Sequence, residues 1–203
     1  MLVHNSNKVC SFINDFELEP VIKNITWYKS IFVSIEKEKI PLYKLEVPNA
    51  DKLVVVPEIK EYAIIEGEAI DYLGKEFCEY FSNSSDVYRF NIDIWIPTMY
   101  FEYYKNRKLI RRVEYEFNSD TLSIDSIEIG EKLVFEDKIT EIPEPDIGYD
   151  PFFYPLIIMN SLGISLNDLR SLLDTDCTIY RLPEKYKKQM IAMRNARIAT
   201  NNT

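Results

Sequence analysis

The stretch from Val87 to Ile96 reads VYRFNIDIWI, and its alternation decides the fold class. Apolar side chains occupy the even positions of this stretch. Polar side chains interrupt the odd positions at Arg89, Asn91 and Asp93. A period of two residues is the pattern of a β-strand with one buried face. Pro97 lacks the N–H group that a sheet ladder needs, so it ends the predicted strand.

An antiparallel meander is predicted to follow this strand. Alternation restarts at Met99, and the run Lys105–Lys108 predicts a tight turn because Asn106 tolerates a positive φ angle. The return strand is predicted over Leu109–Phe117, where Arg111 falls on the apolar face.

The last part of the predicted meander is less regular. Alternation over Leu122–Ile129 changes phase at Asp125-Ser126, which predicts a bulge or a break in the strand. Gly130 then predicts a turn that leads into Leu133–Phe135.

The clearest helix in the first half of the chain is predicted over Gly67–Phe81. Apolar residues recur there at helical spacing, at Ile70, Leu73, Phe77, Cys78 and Phe81. Packing this stripe on the meander gives a two-layer body. The predicted fold class is therefore α+β, with a central antiparallel sheet packed by helices and a helical C-terminal third.

Shorter elements are predicted before this body. The segment Trp27–Ile35 predicts a strand, because it is rich in aromatic and β-branched residues. The segments Leu42–Val47 and Leu53–Val56 predict short strands, which neighbouring prolines place at sheet edges or in loops. The first residues, up to Pro20, predict an irregular start with at most one helical turn.

The C-terminal part is predicted to contain three helices and one strand, of which the first is a short helix over Leu156–Leu162 that ends at Gly163. Ser165 and Asp168 predict a capped helix over Ser165–Leu173. A strand is predicted over Thr178–Leu182, and Pro183-Glu184 opens a closing helix. We predict one domain over residues 1–203, with a body at 20–138, a proline-rich connector at 139–155 and a helical C-terminal segment at 156–199.

Charge and composition narrow the classes of partner. The chain has 33 acidic residues against 24 Lys and Arg, for a net charge of −9 over 203 residues. Nucleic-acid binding depends on clustered Lys and Arg, so this balance disfavours nucleic acid and favours protein partners. The sequence has neither a signal-peptide pattern nor an apolar run of about 20 residues that could cross a bilayer. We therefore expect a cytoplasmic protein that does not contact membranes.

Motifs for catalysis and cofactor binding are scarce. The single histidine, His4, lies in a segment that we expect to be mobile, which disfavours histidine acid–base catalysis and most zinc sites. Three widely spaced cysteines predict no disulfide framework, and five glycines form no phosphate-binding loop. We expect no enzyme activity, no metal and no cofactor. One alternative remains, because Asp51, Glu58 and Lys60 loosely match the D…E-x-K pattern of metal-dependent nucleases.

A candidate docking segment lies in the proline-rich connector and its end. Acidic and aromatic residues meet there, at Glu141, Glu144, Asp146, Tyr149, Asp150 and Phe152. Prolines restrict the backbone of this segment, so presenting it to a partner costs less ordering entropy than a flexible loop would. The alternative is an ordinary connector whose aromatic side chains fill the core.

The run from Tyr62 to Phe135 combines three features. Ile65-Glu66-Gly67-Glu68-Ala69 leads into a helix, and a strand, a short turn and a return strand follow from Phe101 to Tyr115. The third feature is the glycine turn of Ile129–Glu136, which precedes an aromatic–Glu pair. In this combination, about a third of the chain resembles the body of certain bacterial immunity proteins of toxin–immunity pairs, of the polymorphic-toxin or contact-dependent inhibition type.

The resemblance has two departures and a clear implication. Asn106-Arg107 stands where a turn glycine is typical, and Phe135 stands where a tryptophan is typical. The resemblance implies a non-enzymatic protein that neutralises a cognate toxin domain by tight stoichiometric binding. The acidic charge suits a basic toxin domain, such as a nuclease. A non-enzymatic ligand-binding or adaptor domain is a further alternative.

Overall fold

The computed structural model describes residues 1–4, 7–26, 51–67, 69–93, 98–118, 123–136, 158–172 and 174–201. Nine strands of these residues form one antiparallel sheet. They are β1 (Leu2–His4), β2 (Glu19–Thr26), β3 (Lys52–Ile59), β4 (Tyr62–Glu66), β5 (Val87–Asp93), β6 (Thr98–Lys105), β7 (Lys108–Asn118), β8 (Ser123–Ile129) and β9 (Asp176–Arg181). The strand order is β2-β9-β3-β4-β1-β5-β6-β7-β8, so β5 to β8 form the predicted meander.

Helices pack against this sheet. They are α1 (Asn7–Asp15), α2 (Ala69–Phe81), α3 (Leu166–Leu172) and α4 (Glu184–Asn201). On the first face, α1, α2 and α4 contribute Phe12, Phe77 and Met190 to one hydrophobic cluster. On the second face, Ile158 and Ile164 join another cluster. The predicted α+β class is confirmed.

The helix predicted over Gly67–Phe81 is confirmed as α2. Its whole apolar stripe is buried: Ile70, Leu73, Phe77, Cys78 and Phe81. Isolated helices of this length are only marginally stable in water, so burial of this stripe against the sheet is the main source of the stability of α2. Desolvation raises the pKa of the Cys78 thiol to about 12, so this cysteine behaves as a small apolar residue. All three cysteines are free thiols.

The meander follows the sequence pattern with one change. Asn106 and Arg107 both have positive φ angles, of 52° and 61°, as a two-residue type I′ hairpin turn requires. The break predicted at Asp125-Ser126 is wrong, because β8 pairs with β7 in continuous register. The change of phase in the sequence instead reflects Ile127 and Ile129, whose side chains remain exposed.

The chain start differs most from the sequence-based expectation. Residues Leu2–His4 form β1, which lies inside the sheet between β4 and β5. Leu2 and Val3 are fully buried, and α1 then spans nine residues rather than one turn. The predicted irregular, mobile start is therefore wrong. No local pattern reveals a three-residue strand, because its stability comes from the two neighbouring strands.

Strand β3 is also placed differently from the expectation. Prolines predicted an edge strand or a loop around Leu53–Val56, yet β3 lies between β9 and β4. Pro57 is tolerated because the pairing of β3 with β4 shifts register between Val56 and Ile59. Such an irregularity removes the need for a ladder hydrogen bond at the proline.

The C-terminal elements match their sequence signals closely. Ser165 Oγ accepts a hydrogen bond from the Asp168 N–H at 3.1 Å, and Asp168 Oδ2 accepts one from the Ser165 N–H at 2.7 Å. This reciprocal pair is the predicted cap of α3. The predicted strand at the C-terminal end is β9, and it lies between β2 and β3. Among the described residues, no helix combines the length and the apolar character that crossing a bilayer requires.

Three sequence predictions fall outside the described residues. They are the strand at Trp27–Ile35, the strand at Leu42–Val47 and the connector at 139–155.

Candidate protein-binding site

The docking residues predicted from the sequence are not located by the structure. Glu141, Glu144, Asp146, Tyr149, Asp150 and Phe152 all lie outside the described residues. Their role in binding stays a prediction.

The structure separates the residues of the nuclease-like pattern. Asp51 directly precedes β3, and Glu58 lies near the other end of that strand. Seven residues separate the two along the chain, which corresponds to about 23 Å of extended backbone at about 3.3 Å per residue. Lys60 lies in the following turn with a positive φ angle, and its ammonium group pairs with Asp168 at 3.4 Å. These three residues are not brought together.

A better-defined candidate is the turn after β8, residues Gly130–Glu136, which we call the Val134 turn. Gly130 opens it with a φ angle of +81°, and a Cβ at this position would collide with the carbonyl oxygen of Ile110. The turn closes on itself, because the Glu136 N–H donates to the Leu133 carbonyl at 2.8 Å. The Leu133 N–H donates in return to Glu136 Oε1 at 3.0 Å.

A buried ion pair fixes this turn to the sheet. Arg111 lies on β7 with its side chain 1% exposed, and its Nε and Nη2 donate to Glu136 at 2.9 and 2.6 Å. Nη2 also donates to Glu128 at 2.7 Å, and Nη1 donates to the Gly130 carbonyl at 3.0 Å. The ion pair and its hydrogen bonds raise the pKa of Arg111, so the guanidinium remains charged. One side chain thus joins β7, β8 and the Val134 turn.

The turn forms one wall of a cleft on the second face of the sheet. Tyr88 and Tyr103 lie opposite it, with stacked rings whose centroids are 4.9 Å apart. The cleft has a volume of about 300 Å³, and Leu133, Phe135 and Leu162 complete its lining. We call this the tyrosine cleft. Val134 also lines it, at the tip of the turn, and is 90% exposed.

The electrostatics of the tyrosine cleft combine apolar walls with hydroxyl groups. Burial raises the pKa of Tyr88 and of Tyr103, and the negative charge of Asp86 raises both further. Both phenols therefore remain neutral around pH 7, and the Tyr103 hydroxyl forms hydrogen bonds with Asp86 and Lys105. Lys105 pairs with Asp86 at 3.4 Å. This arrangement suits binding of a side chain from a partner, with apolar contact in the cleft and hydrogen bonds at its rim.

Metal ligation offers no alternative centre in the described part of the chain. Within that part, no group of three or more His, Cys, Asp or Glu side chains is placed to hold a metal ion. His4 lies on β1, where its Nε2 is 3.1 Å from Glu61.

Sequence reasoning missed the Val134 turn as a site. One signal was present, because Arg111 falls on the apolar face of a strand and a buried arginine needs acidic partners. The partners, Glu128 and Glu136, lie 17 and 25 residues further along the chain, and no spacing rule connects them.

The chain was compared with protein-family models, curated proteins and solved structures, and none of the three comparisons gives a match.

Proposed function

We propose that this protein is an immunity-type inhibitor, which neutralises a basic toxin domain by stoichiometric binding in the cytoplasm and has no catalytic role. The observation that carries the proposal is the Val134 turn. A large apolar side chain that is 90% exposed stands at its tip, beside an open aromatic cleft. The sequence resemblance to immunity proteins includes this same turn.

Rigidity of the turn supports a binding role. The Arg111–Glu136 pair and the hydrogen bonds of the turn order its backbone before any partner arrives. Binding then costs little additional ordering entropy, and more of the contact energy contributes to affinity. An exposed valine on a flexible loop would lack this advantage.

The tyrosine cleft supports the same role by its composition. Tyrosine is enriched at the residues that contribute most to protein–protein affinity, because its ring is apolar and its hydroxyl forms hydrogen bonds. We expect an apolar side chain of the toxin to enter between Tyr103 and Leu133. Contact with Val134 would exclude water from the rim.

The net negative charge of the chain supports a basic partner. A net charge of −9 accelerates encounter with a basic domain, and the acceleration falls as salt increases. The acidic connector residues Glu144 and Asp146 remain our prediction for one source of this steering.

Co-expression tests the proposed function. The probe is a reading frame that neighbours the gene and encodes a toxic C-terminal domain. We expect this protein to restore growth and to form a complex of fixed stoichiometry in gel filtration. Failure to restore growth would overturn the proposal. DNA or RNA cleavage by this protein that is lost in Glu58→Ala would favour the nuclease instead.

A matched pair of variants tests the site. Val134→Asp should weaken the complex at least about tenfold, because it buries an unpaired carboxylate at the contact. Ile127→Asp is the control, since Ile127 is also exposed but pairs with Glu114 on the opposite sheet face. Equal affinity of the two variants would exclude the Val134 turn as the contact.

A second pair tests the charge contribution. Reversing Glu144 and Asp146 to Lys should slow association and reduce its salt dependence, with little change in the melting temperature. An unchanged association rate would remove the connector from the docking surface.

A further inference from the structure

A second cleft lies on the first face of the sheet, away from the tyrosine cleft. It has a volume of about 480 Å³, within the range of about 300–1,000 Å³ that is common for small-ligand sites. Helices α2 and α4 and strands β5, β6 and β7 contribute to its lining. Its cationic lining residues are Lys75, Arg89 and Arg112, and Asp71 is the acidic one. We call it the arginine cleft.

Two guanidinium groups contact one aromatic ring in this cleft. The Cζ atoms of Arg89 and of Arg112 each lie 5.0 Å from the ring centroid of Tyr100. Each contact is a cation–π interaction, so both guanidinium groups lie beside the same ring. Burial and a hydrogen bond to Glu102 raise the pKa of Tyr100, so its phenol is neutral and adds no negative charge to the cleft.

Arg89 is the fixed member of the pair. Its Nη1 donates to Glu102 and to the Tyr100 hydroxyl, both at 3.2 Å, and its Nη2 donates to the Ile70 carbonyl at 2.9 Å. The Glu102 carboxylate is buried and neutralises this guanidinium. The Nε of Arg89, like that of Arg112, is buried without a hydrogen-bond partner, but both terminal nitrogens of Arg89 are engaged, so Arg89 positions Tyr100.

Arg112 is the member with capacity for a ligand. Among the described residues, its side chain donates one hydrogen bond, from Nη2 to Glu114 at 2.7 Å. The Nε–H of Arg112 is buried without a hydrogen-bond partner. A buried donor that is left unpaired costs about 1–3 kcal/mol. About a third of the side chain is exposed at the cleft. The Arg112 guanidinium has five N–H donors and pairs with Glu114, so it can donate hydrogen bonds to a further anion.

Lys75 adds a mobile positive charge at the rim. It lies on α2 with its side chain 78% exposed, and its ammonium group is 3.9 Å from the Glu79 carboxylate. Such an exposed pair contributes little energy, so the ammonium group can turn towards a ligand. Tyr72 and Met193 provide apolar surface beside the two cations.

We propose that the arginine cleft binds a small ligand carrying a phosphate or carboxylate group. Arg112 and Lys75 hold the anionic group, and the apolar part of the ligand rests against Tyr72 and Met193. The arginine cleft and the tyrosine cleft lie on opposite faces of the sheet.

Calorimetric titration at low salt tests the proposal. The probes are inorganic phosphate, AMP and benzoate, with adenosine as the uncharged comparison. We expect at least one anionic probe to bind with millimolar or lower Kd and adenosine to bind more weakly than AMP. Phosphate or AMP binding identifies a phosphate site, and binding by benzoate alone identifies a carboxylate site.

Variants assign the binding to this cleft. Arg112→Gln and Lys75→Gln should each weaken the bound probe, by roughly tenfold or more for Arg112 because a charge-assisted hydrogen bond is lost. Lys188→Gln, which removes an exposed lysine of α4 outside the cleft, should leave the Kd unchanged. Lys75 is exposed, so its variant keeps the test valid if Arg112→Gln proves unstable. No binding by any anionic probe, or unchanged affinity in Lys75→Gln, would overturn the proposal.

Discussion

Arg111 and Glu136 form a bidentate ion pair in which both side chains are almost completely buried, at 1% and 6% exposure. The two N–O distances are 2.9 and 2.6 Å. The pair joins an internal strand of the sheet to the Val134 turn, across 25 residues of sequence. Both charges are buried, so each needs the other as its counter-charge. The pair holds the Val134 turn on the sheet, so the proposed binding site depends on both residues.

Removing one partner of this pair should destabilise the protein strongly. We expect Arg111→Met to lower the free energy of unfolding by about 3–5 kcal/mol, since it leaves Glu136 buried without a counter-charge. Urea denaturation measures the loss. The double variant Arg111→Met/Glu136→Met should recover part of it, because the one charge left without its partner, on Glu128, is 37% exposed and remains in contact with water. Lys108→Gln, at an exposed position of the same strand, should change stability by less than about 0.5 kcal/mol. If Arg111→Met lowers the free energy of unfolding by no more than Lys108→Gln does, the role assigned to the ion pair is contradicted.

Stability should depend on pH through Glu128. The Arg111 hydrogen bond holds the pKa of Glu128 below its ordinary value of 4.5. A lowered folded-state pKa contributes stability that is fully present above the unfolded-state pKa, and this stability is lost as pH falls through the folded-state value. Wild type and Glu128→Gln should therefore differ in stability at neutral pH, and the difference should shrink as the pH falls below 4.5, through the lowered folded-state pKa of Glu128. Denaturation at a series of pH values measures this, and a difference that is constant with pH would exclude the linkage.

Gly74→Ala should destabilise α2, although alanine is the better helix former by about 1 kcal/mol. A Cβ at Gly74 would lie 2.5 Å from Nε and 2.6 Å from Cζ of Arg89. The guanidinium cannot move away without losing its bonds to Glu102 and Ile70. The same substitution in an Arg89→Ala background should be stabilising. A double-mutant cycle by thermal denaturation separates the two effects, and Gly74→Ala that stabilises the wild type would refute the steric argument.

Arg107→Gly should stabilise the hairpin of β6 and β7. Arg107 has a φ angle of 61°, which costs a non-glycine residue about 1–2 kcal/mol, whereas glycine loses about 0.5–1 kcal/mol in chain entropy. The net gain should be about 0.5–1 kcal/mol. The Arg107 N–H still donates to Ser82 in the variant. Asn106→Gly should gain less, because asparagine tolerates this conformation. An equal or larger gain at Asn106 would contradict the turn assignment.

The sequence determined the features that depend on local spacing. The 3.6-residue stripe of α2, the alternation in β5 to β7, the turn at Asn106 and the Ser165 cap of α3 all follow from neighbours within a few residues. The α+β class follows from these elements together. These patterns can be read from the sequence because the backbone geometry of a helix, a strand or a cap fixes the spacing of the side chains that act together in it.

Tertiary structure decided strand order and the candidate sites. The positions of β1 and β9 inside the sheet depend on pairing with strands far away in sequence, so the local pattern of β9 predicted a strand but not its place, and β1 had no pattern of its own. The tyrosine cleft combines Tyr88, Tyr103, the Val134 turn and Leu162, which come from separate segments. Arg111 was visible in the sequence as a charge on an apolar face. Its partner Glu136 became identifiable only when folding placed both in a region where an unpaired charge is too costly to persist.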